Sequence, residues 1–396
     1  MNSKKDIVCL LDDSQEFYAV ACNVKKDIKV TSINEWYELC NTLNSCNEYF
    51  FGYFSYDIKN LFENLSSRNV DFIKAPLAHF KSFENLKIVR GGQTIIEIGD
   101  TNEIKELENE LLNSPSGEKF KNQFKSYISK NNYLDSIDVI KNHIQNGNIY
   151  EANFCYPFIS NSESFNAVDY FKNLRTGNSS PFSAYLDFDE IQVISSSPER
   201  FIRKEGNKII SQPIKGTIAR SENLIEDELM KAMLKSNQKD RSENVMIVDL
   251  VRNDLSRFAK KSSVKTTELC EIYTFPTLHQ MISTVECEVD ESIGLNDIIA
   301  STFPMGSMTG APKISAMEII EEEESFSRGI YSGSIGYITP EKDFDFNVVI
   351  RSLIRNKNTG NMMIPVGGAI TSKSNPEAEY KETLLKAKAL LEIFES

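Results

Sequence analysis

Four clusters of polar residues in this chain have the types and spacing to carry chemistry. In SSSPERFIRKEGNKIISQPIKGTIAR (195–220), residues 201–204 and 208–212 read as two strands joined at Glu205-Gly206-Asn207. A three-residue loop pairs Lys204 with Lys208, and therefore Glu199 with Pro213. Lys215 then falls on the face of Glu199, one diagonal step and roughly 7–8 Å away in an ideal sheet. A two-residue loop puts the two on opposite faces. An amine and a carboxylate so placed could react together, or form a plain ion pair on a solvated edge hairpin.

In DRSENVMIVDLVRNDLSRF (240–258), Ile247, Leu250, Val251, Leu255 and Phe258 form a helical stripe. Glu243, four residues before Ile247, lies on the buried side, where a carboxylate could ligate a metal or favour the positive end of the helix dipole. In FPMGSMTGAPKISAMEII (303–320), Gly306 and Gly310 leave backbone N–H groups open ahead of a helix opened by Pro312, an arrangement suited to anions. It lacks the lysine and hydroxyl spacing of a P-loop, so a carboxylate fits better than a nucleotide phosphate. In the tail, Asn375 and Pro376 begin a helix that carries Glu379, Glu382 and Lys386 on one face. Those three could be salt-bridge decoration or could hold Mg²⁺, which takes one or two carboxylates together with oxygens of an anionic substrate.

The elements that must position these groups are mixed hairpins and helices without repeated βαβ units, which points to an α+β fold with largely antiparallel sheets. LKIVR-GG-QTIIEI (86–98) reads as a hairpin on Gly91-Gly92, and Ile137, Ile140 and Ile144 mark a helix ending near Gly147. The polar stretch 113–124 is the weak boundary between a supporting region, 1–117, and a chemical one, 118–396. A net charge of −13 disfavours nucleic acid as a partner. Seven scattered cysteines without a CxxC pair, and three distant histidines, argue against zinc and for reduced thiols in the cytoplasm. No apolar run reaches the ~18 residues of a membrane span.

Taken in order, SSSPERF, PIKGT, ENVMIVDLVRNDLSR, FPMGSMTGAPK, RGIYSGSIGYI, FNVVIRSLI and VGGAI…PEAEYKET resemble the motifs of the chorismate-utilising enzymes. That family includes anthranilate synthase component I, aminodeoxychorismate synthase component I, isochorismate synthase and salicylate synthase. The resemblance spans 130–394, with a fainter trace at YFFGYFSYD (49–57). It implies one large unit with two antiparallel sheets packed face to face and helices outside. It also implies Glu243 and Glu382 as Mg²⁺ ligands with Glu379 assisting. Arg351, Tyr331, Lys386 and the backbone at Gly306-Ser307 and Gly367-Gly368-Ala369 would hold substrate carboxylates. His279 would stand near the departing ring hydroxyl.

Lys215 within PIKGT, and the pair Glu243-Asn244, resemble the aminodeoxychorismate group; anthranilate synthases usually have alanine at the lysine position and EH at the pair. The implied reaction is amination of chorismate to 4-amino-4-deoxychorismate. In it Lys215 attacks C2, Glu199 protonates the leaving C4 hydroxyl, and ammonia displaces the lysine. Anthranilate-type or isochorismate-type synthesis is the alternative. Such a nucleophile requires a lysine pKa below the ordinary ~10.4. No cysteine sits in a GxCxG-type elbow, so ammonia is expected from solution or from a separate glutamine amidotransferase subunit, and no lyase domain is expected after the last helix. Two departures stand out: Glu151 where glutamine is usual, and Ala369 in the place of a glycine. The N-terminal part also lacks the double glycine that often precedes GYxSYD, although PFSAYLDF (181–188) resembles part of a tryptophan pocket wall.

Overall fold

In the computed structural model of the chain, residues 6–12, 16–113, 120, 122–177 and 180–394 are described. Most of the 113–124 segment, read as the weak boundary, therefore lies outside the described residues. Nineteen strands form one hydrogen-bonded network in which every ladder between named strands is antiparallel. The two sheets expected from the resemblance are thus joined through shared strands, with helices packed outside them. Strand Ile7–Asp12 of the supporting region pairs with Phe182–Phe188, and Phe50–Phe54 pairs with Ser334–Ile338, so the two regions share backbone hydrogen bonds.

Alternation along the strands divides the apolar residues between two cores. Val8, Leu10, Ala19 and Ala21 face a core shared with helices Ile33–Ser45, Gln238–Ser256 and Leu295–Thr302. Cys9, Leu11 and Val20 point the other way, under helices Lys130–Gln145 and Pro376–Leu391. The 86–98 hairpin forms as expected: Arg90 pairs with Gln93, and Gly91 and Gly92 both adopt positive φ. Gly147, at φ +78°, follows the Asn146 cap of the Lys130–Gln145 helix.

The hairpin that carries the reactive pair departs from the simplest reading in an instructive way. Its loop holds two residues, not three, because Glu205 pairs with Lys208 and Lys204 with Ile209. A bulge between Arg200 and Arg203 then adds a residue to the first strand, and Arg200 pairs with Gln212. Two shifts of one residue cancel, so the register expected at Glu199 is restored by the bulge, a device that re-aims side chains. Without the bulge, Glu199 and Lys215 would face opposite sides.

Candidate active site

Between the edges of strands Ile214–Ala219, Leu278–Glu288 and Asn361–Thr371 and the helices that begin near 238 and 376 lies a cavity of about 680 Å³. That size suits a small organic ligand. Glu199, Lys215, Glu243, Ser307, Tyr331, Arg351, Gly367, Gly368, Glu379, Glu382 and Lys386 all line it. Gly306, by contrast, is buried beside the wall and is not among the lining residues.

Lys215 reaches the cavity from a strand that also contains Gly216, whose φ is +80°. A Cβ there would stand 2.8 Å from Asp240 Cγ, so only glycine lets the helix N-terminus approach the lysine strand so closely. Glu199 is buried, and burial pushes its carboxyl up to about 7, against the opposing pull of the Ser307 hydroxyl, Lys215 and the Ile214 backbone. A carboxylic acid that keeps its proton near neutrality can donate it to a leaving oxygen.

The lysine does not have the depressed pKa that the sequence reading required. Burial lowers it, but Glu151, Glu243 and Glu199 together outweigh burial, and the ammonium is held above its ordinary value. Lys215 Nζ donates to Glu151 Oε1 at 3.1 Å. Expectation placed Glu199 as the lysine's main partner; the structure gives that place to Glu151, supplied by the first residue of strand Glu151–Asn161.

Glu243 sits one turn inside its helix, while Asn237 caps the N-terminus and Asp240 is the acid of the first turn. The capping role that the sequence left open for Glu243 is thus already filled. Its Oε1 is buried without a hydrogen bond, and burial raises its carboxyl to about 7. Lys239 Nζ lies 2.9 Å from Glu379 Oε1 and 3.9 Å from Glu243 Oε1, bridging two of the three expected metal ligands. Glu382 pairs with Lys386 at 2.9 Å, and Lys386 also donates to Gly367 O at 2.9 Å. An orphaned buried oxygen beside further carboxylates is a donor set suited to a hard divalent cation. The three glutamates do not close into a compact trio. Among the described residues the trio of ligand-type atoms within 4.8 Å of one another is Asp27, His79 and Asp189. Those charges are already met by Lys81, 2.9 Å from Asp27 and 3.4 Å from Asp189, and by Lys29, 2.7 Å from Asp189.

Arg351 lines the opposite wall at φ +53°, and its guanidinium makes no hydrogen bond or ion pair among the described residues. Burial lowers its pKa, and Tyr331 and Glu382 oppose that shift. A desolvated, unpaired guanidinium facing a cavity calls for an anion, and a carboxylate matches its fork. Gly367 on the same wall cannot carry a side chain, because a Cβ would meet Cys155 Sγ at 2.3 Å. The Gly306–Gly310 loop works differently from the helix-terminus anion site expected. Lys313 turns away to Asp254 at 2.6 Å, and Gly310 packs against Glu151 O and Ala316, leaving Ser307 to face the cavity.

Like Gly306, His279 is an expected site residue that does not line the cavity. Leu278 and Gln280 line it, so strand alternation sends His279 to the other face. There its ring nitrogens meet Asp227 Oδ1 and Thr274 Oγ1, each at 3.0 Å. Gln280, which sequence reasoning missed, takes the inward position and leaves Oε1 buried without a partner. Asn153 was missed as well; it lines the cavity and donates to Ser307 O at 3.1 Å. Its spacing of two from Glu151 on a strand was the available signal.

A cavity lined by both basic and acidic groups on an antiparallel α+β scaffold has the make-up of an enzyme site suited to a small anionic ligand. The family description "chorismate binding enzyme" matches residues 7–392, and the chain belongs to that family. It is 40% identical over 278 residues to a probable chloroplastic aminodeoxychorismate synthase of Oryza sativa subsp. japonica, covering 69% of this chain and 31% of that protein. The chain thus spans about a third of the length of that relative. It is 32% identical to aminodeoxychorismate synthase component 1 of Escherichia coli (strain K12), over 87% of this chain and 76% of the relative. The crystal structure of anthranilate synthase component I from Streptococcus pneumoniae TIGR4 superposes with a TM-score of 0.81 at 25% identity, covering 95% of this chain and 92% of that one. No helix among the described residues is long and apolar enough to cross a membrane.

Proposed function

We propose that the protein aminates chorismate at C4, giving 4-amino-4-deoxychorismate with its enolpyruvyl group retained. The observation that carries this is the amine of Lys215 at the cavity with Glu199, a buried acid whose carboxyl is raised to about 7. Two relatives at 32–40% identity that bear the name aminodeoxychorismate synthase support it.

Chorismate carries two carboxylates. Arg351, with Tyr331 and Lys386 near it, and the backbone at Ser307 and Gly367-Gly368 would hold them and fix the ring. Glu243 and Glu382, assisted by Glu379, would hold Mg²⁺, which supplies charge neutralisation at a substrate carboxylate. Lys215, once neutral, attacks C2; both ring double bonds shift, from C1=C2 to C1=C6 and from C5=C6 to C4=C5, and the C4–O bond breaks. Glu199 gives its proton to the departing hydroxyl, which leaves as water, and as a carboxylate it later takes a proton from the incoming ammonia. Ammonia adds at C4 and expels Lys215.

Every residue lining the cavity falls between 153 and 386, which supports assigning the chemistry to 118–396 and a supporting role to 1–117. Ammonia comes from solution or from a separate glutamine amidotransferase subunit, and the pure chain should turn over ammonium but not glutamine. Its seven unbridged cysteines suit the reducing cytoplasm.

Incubation with chorismate, Mg²⁺ and ammonium, followed by mass analysis, should give 4-amino-4-deoxychorismate; anthranilate or isochorismate as product would overturn the reading. Lys215→Ala should cut amination by about 10³-fold or more, a loss larger than the destabilisation expected from leaving the buried Glu151 carboxylate without its cation can explain. Near wild-type amination by that variant would make direct attack by ammonia the mechanism.

A further inference from the structure

The carboxylates around Lys215 are not equivalent, and their differences assign a task to a residue outside the cavity. Lys215 faces Glu199 next to its own hairpin, Asp240 and Glu243 on the Gln238–Ser256 helix, Glu382 on the Pro376–Leu391 helix, and Glu151 on the strand Glu151–Asn161. Among these only Glu151 hydrogen-bonds the amine, at 3.1 Å. In the proposed reaction Glu199 must keep a proton for the leaving hydroxyl, and Glu243 and Glu382 would hold the cation.

Glu151 is 1% exposed and is not among the residues that line the cavity, so its contact with Lys215 is shielded from solvent. Its backbone is clamped on both sides, by Thr371 and by Ala311. Its Oε2 is buried without a hydrogen-bond partner, leaving a free carboxylate oxygen in a dry setting. A glutamine in its place could accept the same hydrogen bond but could not accept the proton.

We propose that Glu151 is the proton acceptor that converts Lys215 from ammonium to nucleophilic amine and returns the proton when the lysine is expelled. The inference rests on the nucleophilic role of Lys215 given above. Before attack, the Lys215 ammonium passes one proton to the Glu151 carboxylate, giving a neutral amine and a neutral acid. The amine forms its bond to C2 and carries it as a secondary ammonium. On displacement by ammonia it departs as a free amine and takes the proton back from Glu151. The exchange is internal, so it uses no proton from solution.

The test is the rate of adduct formation on Lys215 without ammonia, followed by the mass of the PIKGT peptide at saturating chorismate and Mg²⁺ from pH 5.5 to 9. In the wild type the rate should be level on the acid side and fall above pH 7, as Glu199 loses its proton. In Glu151→Gln the lysine must lose its proton to solvent. The profile should gain an acid limb, with the rate falling about tenfold per unit below pH 7. Glu151→Asp, which keeps a carboxylate, should restore the level acid side at a lower absolute rate. A glutamine variant with the wild-type rate and profile overturns the proposal, as does an aspartate variant that gains the same acid limb. If the glutamine variant fails to fold, the aspartate profile alone decides. Absence of any adduct on Lys215 in an actively aminating wild type overturns the nucleophile reading instead, so the two failures are distinguishable.

Discussion

Two arginines twenty-three positions apart, Arg328 and Arg351, show what separates scaffold from site in this molecule. Arg328 is 2% exposed, and its guanidinium is fully used: two bonds to Glu324, at 2.9 and 2.6 Å, one each to Met308 O and Asn153 O, and one to Ser332 Oγ. It also lies 4.6 Å over the ring of Tyr56. Because Met308 and Asn153 line the cavity, this closed network holds the cavity floor. Arg351 has none of those partners. On the same cavity Gln280 Oε1 is buried without a partner, and Glu243 Oε1 is buried without a hydrogen bond, with Lys239 no nearer than 3.9 Å. Native proteins pair their buried polar groups, so orphans gathered on one cavity mark where a ligand completes the set.

The comparison can be broken most forcefully at Arg328. Arg328→Met strands Glu324 and two carbonyls without a donor, and should destabilise the fold by about 3–5 kcal/mol in denaturant melts. Replacing Glu324 by leucine as well should recover most of that loss, since a buried pair is often exchangeable for apolar residues. Arg351→Met should do the reverse. Stability should hold or rise slightly, because an unpaired desolvated cation is removed, while KM for chorismate rises by roughly 30- to 100-fold, the ~2–3 kcal/mol worth of a charged hydrogen-bonded contact. A stable Arg328→Met protein, or an Arg351→Met protein with unaltered KM, would erase the distinction.

Glu199 sharpens the comparison through pH. Its folded carboxyl is raised from 4.5 to about 7, chiefly by burial, so the fold favours the protonated form. The stability it contributes is complete below about pH 4.5 and is lost as pH rises through 7. Glu199→Gln stays neutral throughout. Without ligands, its unfolding free energy should pull ahead of the wild type's as pH goes from 5 to 8, by an amount on the order of 1–3 kcal/mol, and its melting temperature should rise with it. Parallel melting curves across that range would mean that Glu199 is ionised in the fold and cannot serve as the acid.

How far the sequence led follows from the kind of signal each residue carried. The tail helix was legible because Asn375, Pro376, Glu379, Glu382 and Lys386 obey local rules of capping and periodicity, and they stand as expected. The α+β class was legible from the lack of βαβ repeats. The Glu199 and Lys215 register was reached by a wrong loop length, because the Arg200–Arg203 bulge is set by pairing with the strand Phe344–Asn347, which no local pattern announces. Arg328 escaped notice entirely, since its partners lie on other segments of the chain. The pKa of Lys215 was misjudged in direction because Glu151 is 64 positions away in sequence and adjacent in space.

The smallest effect tests the finest distinction, between neighbours on one strand. His279 was assigned to the site on resemblance, yet a shift of one residue on a strand reverses the face. The structure puts Gln280 inside and gives His279 to Asp227 and Thr274. Asp227 itself is held by Arg220, 2.9 Å away, so the imidazole belongs to a paired cluster like that of Arg328. His279→Gln should cost about 1–2 kcal/mol, the worth of hydrogen bonds partly remade by the amide, and leave kcat/KM within roughly twofold. Gln280→Leu should leave stability the same or better, because it removes a buried orphan oxygen, while lowering kcat/KM about tenfold through a lost polar contact. If His279→Gln proves the more damaging to turnover, the imidazole acts on the reaction through the strand, and pairing alone does not mark a residue as scaffold.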